Sequence, residues 1–260
     1  MTGRRLLAEA VGTFFLVFIG PGSIMVNAWS DGALGQVGVA LAFAFVVIAM
    51  IYALGHLSGA HINPAVTIAF WSVRRFPAAE VIPYMIAQCV GAVAASFELR
   101  GALGPVGRMG ATLPGVSLQA AFGVEWLLAF ALMFVIMAVA TDERVADGFA
   151  ALAVGLTVGF CALMGGPLTG ASMNPARSFG PALVGGLWRG HWVYWLAPVT
   201  AMITAARTYE FLRQAIPPRV QQSSPVVGVQ GPVIEPGGVS AIRPYSAGPP
   251  RSADGRPTPR

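Results

Sequence analysis

The segment Ser58-Gly59-Ala60-His61-Ile62-Asn63-Pro64-Ala65 returns 111 positions later as Thr169-Gly170-Ala171-Ser172-Met173-Asn174-Pro175-Ala176. Two further elements return in the same order. Glu9 with Thr13-Phe14-Phe15-Leu16-Val17-Phe18 is echoed by Glu125 with Ala129-Phe130-Ala131-Leu132-Met133-Phe134, and Tyr84 by Tyr194. Ordered recurrence at a near-constant offset is the signature of an internal repeat. Each box pairs Asn, a favoured N-cap, with Pro, which suits the first helical position. The apolar run that follows reaches Trp71 in the first half and about Leu183 in the second. Nine helical residues reach about 14 Å, half the hydrocarbon thickness of a bilayer. The boxes therefore predict two half-helices.

Around them the chain is strongly apolar. Of its 260 residues 55% are hydrophobic and 10% charged, with a mean hydropathy of +0.68, whereas soluble domains carry about 25% charged residues. Six stretches approach the roughly 20 apolar residues of a spanning helix: about 6–27, 35–55, 79–99, 120–140, 149–164 and 191–212. Three spans per half is an odd number, so the second half enters the membrane upside down. Inverted repeats place their shared site near the midplane. The expected fold is an all-α membrane protein of six transmembrane helices and two re-entrant half-helices, its inverted halves at about 4–100 and 120–213. Irregular backbone at midplane depth is tolerable only where it is buried or lines a wet path. The glycines within 55–60 and 165–171 are placed to supply it.

Several functions are disfavoured. All 16 basic residues are Arg and form no stripe, so the +5 charge is not a nucleic-acid footprint. Cys89 and Cys161 lie in apolar runs without metal-ligand spacing. No nucleophile–base pair marks an enzyme, and no cofactor or metal is expected. The first stretch resembles a secretory signal, with Arg4-Arg5 before it and Val26-Asn27-Ala28 after it, but Glu9 interrupts it and the repeat requires the span. With the N-terminus inside, Arg4, Arg5, Arg74, Arg75, Arg144, Arg213 and Arg219 fall on the cytoplasmic side. Arg100, Arg108 and Arg189 fall outside, so both termini are expected in the cytoplasm of a multi-pass cell-membrane protein. Residues 217–260 hold ten of the 20 prolines and read as a disordered tail behind a domain at 1–216.

Paired Asn-Pro-Ala boxes in inverted halves, with Ser-Gly-Ala-His leading into the first and Arg-Ser-Phe-Gly-Pro-Ala completing the second, resemble the aquaporin or major intrinsic protein family. The segments at 140–144, 170–177 and 188–195 look most like its nodulin-26-like branch and bacterial relatives. The resemblance covers about 4–213. It implies a passive channel in which Asn63, Pro64, Ala65, Asn174, Pro175 and Ala176 form the pore boxes. Arg177, where the first repeat has Val66, would stand at the constriction. Phe43, Ala162 and Ala171 would complete the selectivity filter, carried over by spacing. Physically, half-helix tips carry about +0.5 charge, and the Asn amides offer N–H donors beyond a capping role. A charge such as Arg177 within a membrane segment faces a cavity or snorkels to the interface.

Glu9 and Glu125 are intramembrane carboxylates, the kind found in proton relays; the resemblance instead makes them braces for the two loops. It places His56 and His61 in packing and hydrogen bonding near the inner mouth. His191, with Trp192, Tyr194 and Trp195, reads as an aromatic belt. Cys161 adjoins Ala162, either reachable by thiol reagents or buried. Gly91, Ala94 and Ala95 suit close helix packing.

Two alanines at the filter depart from the water-channel pattern, which has His at 162 and Thr or Cys at 171; Phe43 departs from the Trp of nodulin-26-like members. The expected permeants are water and small neutral solutes, either glycerol-like polyols or undissociated hydroxides such as arsenite and boric acid, with protons and ions excluded. A strictly water-selective pore, an ion-coupled transporter and a weakly conducting adhesion protein are the alternatives. The partners implied are the lipid bilayer and three further copies in a homotetramer.

Overall fold

The computed structural model describes residues 2–142 and 148–214, with no strand among them. Its helices are α1 (Thr2–Trp29), α2 (Gly35–Ser58), α3 (Pro64–Ser72), α4 (Ala78–Leu103), α5 (Leu118–Thr141), α6 (Ala150–Thr169), α7 (Pro175–Gly185) and α8 (Val193–Gln214). The expected tail, together with Arg144 and Arg219 of the orientation argument, lies outside the described residues.

The packing follows the repeat. Helix α1 lies against α4 and α2, and correspondingly α5 lies against α8 and α6. Each half-helix crosses to the opposite half: α3 packs on α8, and α7 on α4. Exchanging the halves maps this pattern onto itself, as an inverted repeat requires. The largest apolar cluster joins Leu16, Phe43 and Val47 to Leu132, Val154 and Val158, so the core belongs to both halves. Close approach needs small residues: a Cβ on Gly91 would lie 2.1 Å from the Ala10 carbonyl oxygen, so α1 and α4 meet backbone to backbone. Ala95 is buried in the same seam, but Ala94 is exposed, because it lies off the i, i+4 stripe of Gly91 and Ala95.

Two boundaries differ from expectation. Helices α2 and α6 run on to Ser58 and Thr169, so Gly55, Gly165 and Gly166 are helical and irregular backbone begins only at Gly59 and Gly170. Backbone groups at membrane depth need internal partners, which favours continuing the helix over glycine-rich coil. Helices α1, α2, α4, α5 and α6 are long and apolar enough to span a bilayer. Helix α8 is as long but less apolar. Its Thr200, Thr204 and Thr208 hydroxyls donate to carbonyls one turn back, at 2.7 to 2.8 Å, which satisfies them without water.

Candidate permeation site

Each half-helix begins where its sequence dictates. Asn63 and Asn174 adopt extended backbone and cap α3 and α7, with proline next. Asn63 Oδ1 accepts from Ala65 N at 2.9 Å; Asn174 Oδ1 accepts from Ala176 N at 3.0 Å and Arg177 N at 3.3 Å. The amide nitrogens reach across: Asn63 Nδ2 donates to the Met173 carbonyl and Asn174 Nδ2 to the Ile62 carbonyl, both at 2.8 Å. One amide thus caps its own helix, ties the opposite loop and keeps a second N–H for another acceptor.

The loops leading into them are strained. Ala60, Ile62, Ala171 and Met173 all have positive φ, between 42° and 51°, a region costly for side chains and worst for a β-branched residue. What holds them is duplicated. Glu9 accepts from His61 N at 2.9 Å, Ile62 N at 2.7 Å and Ser58 Oγ at 2.7 Å. Glu125 accepts from Ser172 N at 2.8 Å, Met173 N at 2.9 Å and Thr169 Oγ1 at 2.6 Å. Tyr84 and Tyr194 hydroxyls donate to the Ser58 and Thr169 carbonyls. Both carboxylates are fully buried. Gln88 adds a fourth donor to Glu9 at 2.8 Å.

Arg177 is 1% exposed. Its NH1 donates to the Gly110 carbonyl at 2.9 Å, Cζ stands 5.2 Å over the Phe43 ring, and Nε and NH2 have no partner among the described residues. A cavity of about 110 Å³ is walled by Phe43, Val47, His61, Asn63, Asn174 and Arg177, among others. Arg177 therefore faces this cavity and not the interface. Ala162 and Ala171 are buried and are not among the residues that wall it. The Ala162 carbonyl accepts from Gln36 Nε2 at 2.7 Å. His61 shares a hydrogen bond with Thr67 Oγ1 at 3.1 Å and packs on Phe70, Phe76 and Tyr84; His56 is exposed. Cys161 is buried, its thiol directed at the Leu128 carbonyl.

A family model described as Major intrinsic protein matches residues 2–209. The chain belongs to the major intrinsic protein family. Nodulin-26 of Glycine max is 47% identical over 212 residues, which cover 81% of this chain and 78% of the relative. The probable aquaporin AqpM of Archaeoglobus fulgidus is 45% identical over 237 residues, covering 80% and 96%. The solved aquaglyceroporin from Plasmodium falciparum matches with a TM-score of 0.72 and 26% identity, over 81% of this chain and 96% of that one. As a major intrinsic protein the chain is an integral membrane channel and not an enzyme.

Some residues of this family site escape sequence reasoning. Tyr194 reads as an interfacial aromatic but is fully buried and ties a loop, as Tyr84 does. Their recurrence in the repeat was the available signal. Ser58 and Thr169 were visible only as box letters, and Gly110 acts through a carbonyl that no side chain advertises. Trp188 and Trp192 are exposed beside His191, whose Nε2 accepts from Trp195 Nε1 at 3.2 Å. Burial lowers the pKa of His191 from the ordinary histidine value.

Proposed function

We propose that this chain conducts water and small uncharged solutes, glycerol-like polyols and neutral hydroxides, through a pore of its own in each subunit of a homotetramer. The observation that carries the reading is the reciprocal Asn63 and Asn174 pair: two half-helix tips bound to each other's loops, each amide retaining a donor beside one cavity. The two tips bring partial positive charge to that point, which opposes cations. A water accepting from both amides turns its own hydrogens outward, so the proton chain is interrupted there. Half-helix ends and an arginine serve this purpose in aquaporin-type pores generally. Glu9 and Glu125 act as braces, since their oxygens already accept three or more hydrogen bonds each, which supports a passive channel over an ion-coupled carrier.

Phe43 and Arg177 form the selectivity filter on the cavity wall, and the buried Ala162 and Ala171 complete it from outside that wall. Arg177 brings its guanidinium charge to the cavity wall, and alanines at 162 and 171, in place of larger residues, leave room for a carbon skeleton. The channel domain occupies 1–216, and both termini lie in the cytoplasm.

Proteoliposomes in stopped-flow light scattering test this with water, glycerol, urea and arsenite. The expected result is rapid shrinkage followed by re-swelling in glycerol, insensitive to ionophores. Ala162→His with Ala171→Thr is expected to lower glycerol flux by about tenfold while water flux remains. Unchanged glycerol flux in that variant would place the constriction elsewhere.

A further inference from the structure

We propose that Gly20 on α1 is a specificity-determining residue, setting the width of the constriction by giving the Phe43 ring a bare backbone to rest on. The proposal rests on the assignment of Phe43 and Arg177 to the filter.

Helix α1 presents one stripe to the pore side at i, i+4 spacing. A Cβ on Gly12 would meet Ile62 of the first loop, Leu16 walls the cavity, and Gly20 comes next. A Cβ on buried Gly20 would lie 2.3 Å from Phe43 Cε1 and 2.7 Å from both Cδ1 and Cζ. Those separations are far inside carbon–carbon contact distance, so the ring occupies the volume a side chain would need.

The inverted half shows that this is a choice. The offset of 116 that carries Glu9 to Glu125 carries Gly20 to Ile136, and the offset of 111 that carries Asn63 to Asn174 carries Phe43 to Val154. Ile136 and Val154 both wall the cavity, as two medium aliphatic groups. Near Arg177 the same two positions hold nothing and a phenyl ring.

The following residue serves the other filter member. A Cβ on Gly110 would lie 2.5 Å from the Pro21 carbonyl oxygen, so Pro21 backs directly onto the residue whose carbonyl holds Arg177. Pro21 cannot donate to the preceding turn, and Ser23 Oγ donates to the Gly20 carbonyl at 2.6 Å. Two adjacent residues of α1 thus bear on the filter, Gly20 against Phe43 and Pro21 against Gly110, which holds Arg177.

The test compares G20A, F43A and the double variant G20A/F43A with the unmodified chain in proteoliposomes, reading glycerol and water permeability together. G20A displaces the ring that packs beside Arg177. It is expected to lower the glycerol-to-water ratio roughly tenfold, the scale of overpacking a close contact. In the double variant the ratio returns to that of F43A, because the Cβ meets no ring. A ratio that falls equally in both backgrounds overturns the proposal, as the glycine then acts independently of Phe43. If F43A changes the ratio and G20A does not, Gly20 has no filter role while the filter assignment stands. If neither changes it, the filter assignment itself fails and takes the proposal with it. Should G20A not assemble, assembly of G20A/F43A shows that the collision was with the ring, and failure of both overturns the proposal.

Discussion

The two re-entrant loops differ in an instructive way. Their braces match almost atom for atom: a buried glutamate on two consecutive backbone N–H groups, a hydroxyl on that glutamate, and a tyrosine on the preceding carbonyl. Beyond the asparagines the likeness ends. Val66 follows one box where buried Arg177 follows the other, His61 stands where Ser172 does, and Gln88 has no amide counterpart in the second half. Holding left-handed backbone at membrane depth is one physical problem, posed twice and solved twice. Only one half carries the arginine, the residue proposed to discriminate among solutes.

The largest expected effect tests the shared part. Glu9→Ala and Glu125→Ala each strand two backbone N–H groups and a hydroxyl, and Glu9→Ala the Gln88 amide as well, at about 1–3 kcal/mol apiece where buried. Both variants should lose thermal stability by similar, severe amounts in detergent, measured by intrinsic fluorescence. A neutral result for either would break the equivalence of the braces. Next, Arg177→Val gives the second half the residue of the first. Proton or cation leak, followed with a pH-sensitive dye in proteoliposomes, should rise by roughly tenfold or more, since a fixed charge beside the path is removed. Leak unchanged from the parent would mean that the arginine is not the element distinguishing the halves.

How much of this was legible in the sequence depends on the range of the interaction. The half-helices could be read because an Asn cap and a Pro at the first position are local signals, and their pairing exposed the repeat. The glutamates could be read because a carboxylate inside an apolar span demands a reason. The helix ends at Ser58 and Thr169 could not, since glycine in a lipid-facing helix need not break it. Gly110 and Gly20 were silent because one contributes a carbonyl and the other an absence of atoms, and both matter only through residues remote in the chain.

Smaller effects sharpen the comparison. His61→Ser, which copies Ser172, removes the hydrogen bond to Thr67 and ring contacts with Phe70 and Phe76. A loss of about 1 kcal/mol is expected, with selectivity unchanged because His61 has neither Phe43 nor Arg177 among its hydrogen-bond or ring partners. The smallest effect concerns His191. His191 has its folded-state pKa below the unfolded value of 6.5 because of burial. Its neutral form therefore contributes stability that is complete above about pH 6.5 and is lost as pH falls from there toward the folded value. Protonation at Nε2 also breaks the bond from Trp195. Melting temperature should drop by no more than about 2 °C over that interval, and His191→Phe should flatten the dependence.

Electron cryomicroscopy of the channel in lipid nanodiscs with glycerol addresses the central claim most directly. The account predicts a continuous file of solute density through the protein, with one oxygen about 3 Å from both Asn63 Nδ2 and Asn174 Nδ2. Density that stops short of the two amides, or amides turned toward lipid, would contradict it.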